Sequence, residues 1–372
     1  MKSVHRTAHL TVLLSLLALT GCLGSDDSGG TAVDTGQLNY NGFSGLSFRT
    51  ASQSGTTRAD GGFSYYPGET LTFQVGDLVL AEDVPAKPHV TLLEFFPDIR
   101  GALQTPTVDD EGLRTHTRTE LNLLDNGALM NMTRLLMSLD WTQGVQEDEG
   151  IEIRQRVIDQ LNAALPLLDT PIDFNVPTTE FTATGTTPSP ANQLLARICF
   201  HPEGDELCES PPTPEQIQNA PERPENEEDW DPDFEYRQDL QAKRDRILDA
   251  IRTMDEIDNE DARMYLRREL QDITTDVSNG YYLDEDVASH PASDTGIKSV
   301  RVQRIGDDTA LAKIEAISTR PEDVTIHAWN WQSAEVDYFI SGESGGESEL
   351  VMSFRPENTY RWVRKSLRVI IR

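Results

Sequence analysis

Gly342, Glu343, Ser344, Gly345 and Gly346 match G-x-S-x-G, the strained strand-to-helix turn on which hydrolases present a nucleophilic serine. That chemistry needs a helix behind the serine and a histidine later in the chain. Here strand-like Glu349-Leu350-Val351-Met352 follows, and the last histidine, His327, precedes the serine. A flexible turn is expected instead. Asp229, Asp231, Asp233 and Glu235 alternate as calcium ligands do, but Phe234 stands where such a loop needs glycine and Leu240 where it needs its twelfth-position ligand. This stretch reads as a solvated acidic linker. No H-E-x-x-H, G-x-x-x-x-G-K-[ST] or G-x-G-x-x-G occurs, so a non-enzyme with no catalytic residue, cofactor or metal is expected.

Two further groups of residues carry chemistry of a milder kind. Cys199 and Cys208 bracket ICFHPEGDELCE, and in an oxidising compartment they pair as a disulfide; a metal site with His201 is the alternative, short of a fourth ligand. His327, Trp329 and Trp331 share one face of a strand by two-residue alternation, with Tyr338, Tyr360 and Trp362 on neighbouring strands. That face either fills a sandwich core or lines a groove for an apolar ligand or a partner, since Trp and Tyr tolerate one wet and one dry side.

These residues must be positioned by an α+β multidomain chain. Phe63 and Tyr65 share a strand face, as do Leu71, Phe73 and Val75 after the Pro67-Gly68 turn, which predicts an N-terminal antiparallel β-sandwich-like module over 38–100. Leu121, Leu124, Leu129, Met132, Leu135, Leu136 and Leu139, then Val157, Ile158, Leu161, Leu165 and Leu168, recur at three- and four-residue steps and predict a helical region over 101–200. Residues 201–234 are rich in Pro and Glu and read as an exposed linker. Leu240, Ile247, Ile251, Met254 and Ile257, followed by Leu266, Leu270, Ile273 and Val277, predict a helical hairpin over 235–280. From 281 to 372 five or six strands predict a C-terminal antiparallel β domain.

The first residues give the address. Lys2 and Arg6 precede the apolar run Leu10 to Leu19, which reads as a signal peptide over 1–21. Leu19, Thr20, Gly21 and Cys22 resemble the lipobox of bacterial lipoproteins, in which the cysteine is lipidated and becomes the first mature residue. Two or more acyl chains make such attachment stable. Residues 22–37 then read as a flexible tether, and Leu23 in the second mature position implies the outer membrane, facing the periplasm.

Other motifs extend the resemblance. Gly55 and Thr57, then Gly61, Phe63 and Tyr65, then Gly68, Glu69, Phe73, Gly76 and Asp77 resemble a module of uncharacterised lipoproteins of pseudomonads and marine gammaproteobacteria. It implies an immunoglobulin-like or transthyretin-like scaffold. Asn131, Arg134, Leu135, Leu136, Leu139 and Asp140, followed by Gly150, Ile151 and Ile153, resemble a second piece of that family, where the aspartate opens a loop able to hold calcium. The loop here, DWTQGVQEDEGI, lacks the alternating oxygen ligands. The terminal segment, with WNW and RWVRKSLRVIIR, resembles lipoproteins that accompany outer-membrane transporters of the long-chain fatty acid type in alkane-degrading marine bacteria. This implies an accessory role in uptake of alkanes or other apolar molecules; a surface adhesin or structural lipoprotein is the alternative.

Charge narrows the partners. With 63 acidic against 32 basic residues, only six of them lysine, the net charge is −31, which argues against nucleic acid. Residues 203–286 hold 27 acidic and nine basic residues, whereas Arg355, Arg361, Arg364, Lys365, Arg368 and Arg372 crowd the last eighteen. That basic end is expected to meet the acidic hairpin, lipid headgroups or a partner.

Overall fold

The computed structural model describes residues 32–142 and 149–372. The first strands, β1 (Asp34–Leu38), β2 (Phe43–Ser44), β3 (Ser47–Arg49), β4 (Ser54–Thr56), β5 (Gly62–Tyr65), β6 (Thr70–Val75), β7 (Leu78–Pro85) and β8 (His89–Val90), alternate apolar and polar residues. They assemble into sheets ordered β5-β1-β8 and β4-β3-β6-β7, with β2 pairing elsewhere in parallel with β11 (Ile151–Glu152). Alternation turns Leu71, Phe73 and Val75 inward, where Phe73 meets Phe63 edge-on at 5.8 Å and stacks on Phe95 at 5.0 Å. Only glycine fits at Gly36, because a Cβ there would lie 2.3 Å from the Phe63 ring.

This module has no core of its own. Its Leu38, Phe63 and Phe73 belong to one continuous hydrophobic cluster with Leu129, Leu136, Val157, Leu194 and Leu266, so the expected boundary at residue 100 falls inside a core. The helices are α1 (Pro97–Leu103), α2 (Thr117–Leu123), α3 (Gly127–Ser138), α4 (Gln155–Ala164), α5 (Thr178–Phe181), α6 (Pro190–Leu195), α7 (Pro214–Asn219), α8 (Arg237–Asp249) and α9 (Asn259–Asn279). A small ribbon of β9 (Thr107–Val108) and β10 (Arg114–Thr115) precedes α2. Helix α3 is buried from Leu129 onward and is started by Asn126, whose side chain accepts from the Leu129 N–H. Helix α9 starts at Asp258 with a capping box and turns Ala262, Tyr265, Leu266, Glu269, Leu270 and Ile273 inward at helical spacing.

Two expectations fail here. Helix α9 packs on α3 while α8 packs on α7, so residues 235–280 are not a two-helix hairpin. Its apolar seam serves two partners, with Ile247 the buried residue of the strongly charged α8. Nor is 201–234 wholly extended: Thr213 closes a capping box that starts α7, and Trp230 lies under the Arg223 guanidinium at 4.6 Å.

The C-terminal part is a separate sandwich. Strands β12 (Tyr281–Leu283), β13 (Val287–His290), β14 (Lys298–Arg304), β15 (Leu311–Ser318), β16 (Val324–Asn330), β17 (Glu335–Ile340), β18 (Glu347–Pro356) and β19 (Val363–Ile371) form sheets ordered β12-β14-β17-β16 and β13-β19-β18-β15. All neighbours are antiparallel except β13 with β19. Val302, Val336, Tyr338, Leu350, Phe354 and Leu367 fill its own core. The fold is thus α+β, with β structure at both ends and helices between. Ser344 sits in the turn from β17 to β18, strand to strand, without the helix a nucleophile elbow requires. Among the described residues no helix is long and apolar enough to cross a membrane.

Candidate functional site

The segment between β18 and β19 leaves the sandwich and enters the helical body. Asn358 takes a left-handed backbone conformation (φ 61°) that turns the chain, and Tyr360 then joins the N-terminal core although both flanking strands belong to the other. Its hydroxyl donates to Glu120 Oε1 of α2 at 2.7 Å. Arg361, 2% exposed, places Nε 3.6 Å from the same oxygen. The Trp362 N–H donates to His116 Nδ1 at 2.9 Å, which leaves the ring proton on Nε2, 3.0 Å from the Thr274 hydroxyl of α9. Three elements, the β18–β19 segment, α2 with its N-cap and α9, therefore converge on one buried polar knot.

Burial governs its protonation. Desolvation pushes the Glu120 carboxyl up to about 7, with Arg361 pulling the other way, and it pulls the His116 ring down to about 3, with Arg361 adding to the fall. His116 is therefore neutral throughout the physiological range. Glu94, whose carboxylate accepts from the Thr91 N–H and from Lys87, is the second acid facing Arg361. Arg361 Nε and Nη2 find no hydrogen-bond partner among the described residues.

Beside the knot lies a cleft with two limbs. The first, of about 460 Å³, runs between Thr117, Glu120 and Leu121 of α2 and Arg267, Leu270, Gln271, Thr274 and Thr275 of α9, residues that helical spacing puts on facing stripes. The second, of about 420 Å³, shares Thr117, Thr274 and Thr275 and continues to Ser353, Trp362 and Arg364 of the sandwich. Its walls are ion-paired: Arg364 bridges Asp109 and Glu111, and Arg114 binds Glu315 at 2.7 Å. The basic C-terminal segment thus meets the acids of residues 109–120 through Arg361 and Arg364, and Arg368 pairs with Glu347; the acidic stretch 203–286 is not their partner.

The six expected aromatic residues do not form one face. A β-bulge at His327 lets Ile326 oppose Tyr338 while Ala328 opposes Asp337, so the alternation slips by one. His327 points outward beside Phe339, 6.4 Å away, whereas Trp329 falls in register with the inward Val336. Tyr338 is in the sandwich core, and Tyr360 and Trp362 are buried at the junction, but Trp329 and Trp331 stay 51% and 45% exposed.

The other sequence candidates resolve simply. Cys199 and Cys208 are joined as a disulfide, which rules out their use as a thiolate pair with His201. The loop they close presents Glu206 to Arg246 of α8, and Glu209, just past the bridge, pairs with Lys243. Asp140 is buried, and its carboxylate accepts from the Glu152 N–H at 2.7 Å and the Thr142 hydroxyl at 2.6 Å, so it ties off its loop from within. Among the described residues no cluster of His, Cys, Asp or Glu could hold a metal. Cys22 lies outside the described residues. Sequence reasoning missed the knot; the signals present were the His116 and Glu120 spacing of one helical turn and an arginine between two aromatics in YRW.

No family model matches the chain, and no curated protein does. Solved structures similar to part of it include two of surface-layer proteins. One is the S-layer protein SbsC domains 4 and 5, 13% identical over 24% of this chain and 50% of that one, with a TM-score of 0.18. The other is the surface layer protein SbsC, domains 1–6, 13% identical over 25% of this chain and 13% of that one, with a TM-score of 0.19.

Proposed function

We propose that this protein is a lipid-anchored, non-enzymatic component of a bacterial cell envelope that contacts a partner through one end of its C-terminal sandwich. The observation that carries this reading is the pair Trp329, near the end of edge strand β16, and Trp331, in the turn that follows it, both half exposed while Tyr338, Tyr360 and Trp362 are buried. Indoles left in water on a rigid edge are the anchors that protein interfaces favour. The lipobox at Cys22 supplies the attachment. The resemblance of the terminal segment makes the partner an outer-membrane transporter and the cargo alkanes or other apolar molecules, with the protein facing the periplasm from the outer membrane.

Uptake of a labelled long-chain alkane, with envelope fractions blotted for the protein, tests this in strains carrying Cys22→Ala or the double change Trp329→Ala, Trp331→Ala. Cys22→Ala is expected to release the protein from the membrane and lower uptake. The double variant is expected to stay anchored and folded while uptake falls. Unchanged uptake in both strains would discard the transport role and leave a surface or structural lipoprotein as the reading.

A further inference from the structure

We propose that the limb of the cleft between α2 and α9 binds a single-chain anionic amphiphile, its acyl chain along Leu121 and Leu270 and its head on Arg267. Three observations carry this, and none depends on the envelope role above. The limb is about 460 Å³, within the roughly 300–1,000 Å³ typical of small-molecule sites. Its lining is largely apolar and includes Leu121, which keeps 41% of its surface exposed beside the buried Thr119 and Glu120. Leu270 lines it from α9, so each of the two helices contributes a leucine to the limb.

The head is chosen by charge. Of the arginines lining the two limbs, Arg114 and Arg364 are already committed to carboxylates. Arg267, exposed at the rim, has no hydrogen bond or ion pair among the described residues. The one acid on the limb, Glu120, is paired internally with Tyr360 and Arg361, so its charge is offset from below rather than directed at an incoming anion. A guanidinium recognises a carboxylate by two parallel hydrogen bonds in a fixed geometry. The overall −31 charge opposes an anion only within about 8–10 Å at physiological ionic strength, which leaves the local pairing in control.

Calorimetry on the exported full chain carrying Cys22→Ala, free of detergent, tests the proposal with tetradecanoate and tetradecanol below their aggregation limits. Tetradecanoate is expected to bind saturably at one per chain, about tenfold tighter than tetradecanol. Arg267→Gln is expected to erase that preference by weakening tetradecanoate alone. Leu121→Asp, also on the surface, is expected to abolish binding of both, with circular dichroism and melting unchanged. Absence of saturable tetradecanoate binding, equal binding of the two probes, or indifference to either substitution would overturn the proposal.

Discussion

The N-terminal strands and the C-terminal strands are written in the same two-residue alternation, yet they use it differently. Strands β12–β19 bury their inward residues against each other and close a core within about ninety consecutive residues. Strands β1–β8 bury theirs against helices up to residue 270, and one turn of theirs, Tyr40-Asn41, is held by Glu269, whose carboxylate accepts both backbone N–H groups and the Asn41 amide. Alternation therefore specifies a face and leaves open what covers it. The first region is local and self-sufficient; the second is complete only when distant elements arrive.

Matched core truncations break or confirm this contrast most strongly. Phe73→Ala and Phe354→Ala each remove a fully buried ring and are expected to cost roughly 3–5 kcal/mol. Hydrogen exchange should separate them: loss of protection spreading from residue 38 to 270 for Phe73→Ala, and confined to 281–372 for Phe354→Ala. If Phe354→Ala also unprotects the helices, the sandwich is not an independent unit.

The junction between the regions gives a pH test. Glu120, raised to about 7 in the fold, binds more protons folded than unfolded, so its contribution to stability falls as pH rises from the ordinary glutamate range to 7. His116, lowered to about 3, binds fewer protons folded, so its contribution rises with pH between 3 and its ordinary value of 6.5. Over their common window the two slopes oppose each other. His116→Gln keeps a donor and an acceptor but removes the rising slope, so the variant should lose roughly 3 kcal/mol between pH 4.5 and 7 while the parent stays nearly flat. Denaturant midpoints measured across that range check it; a flat variant would show that Arg361 holds Glu120 ionised throughout.

The smallest effect sharpens the contrast within the N-terminal body. Replacing Cys199 and Cys208 by serine opens a ten-residue loop and should cost about 2.5–3 kcal/mol. The loss should appear first in α8, which rests on that loop through Arg246 and just past it through Lys243, and leave the sandwich untouched. Proteolysis at 237–249 would register it.

What could be read from the sequence follows the same division. The sandwich strands were visible because Val336, Tyr338 and Ile340, like Leu350, Met352 and Phe354, recur at two-residue steps. The slip at His327 was not visible, because a bulge is one extra residue with no compositional mark. Buried charges were invisible for a related reason: Arg134, which donates to the Met254 and Ile257 carbonyls, looks like any helix-surface arginine until those carbonyls are placed. Of the six aromatic candidates, Tyr360 and Trp362 did lead to the junction, though as parts of a buried knot rather than of a binding face.

Tyr360 finally sets an order of events in the making of the protein. It completes a core whose other members end at Leu270, so that core waits for a side chain that arrives from far along the sequence. Until then the α2 and α9 faces around Glu120 lack their plug. The β18–β19 hairpin thus acts as a time stamp: the N-terminal body closes only once that hairpin has docked.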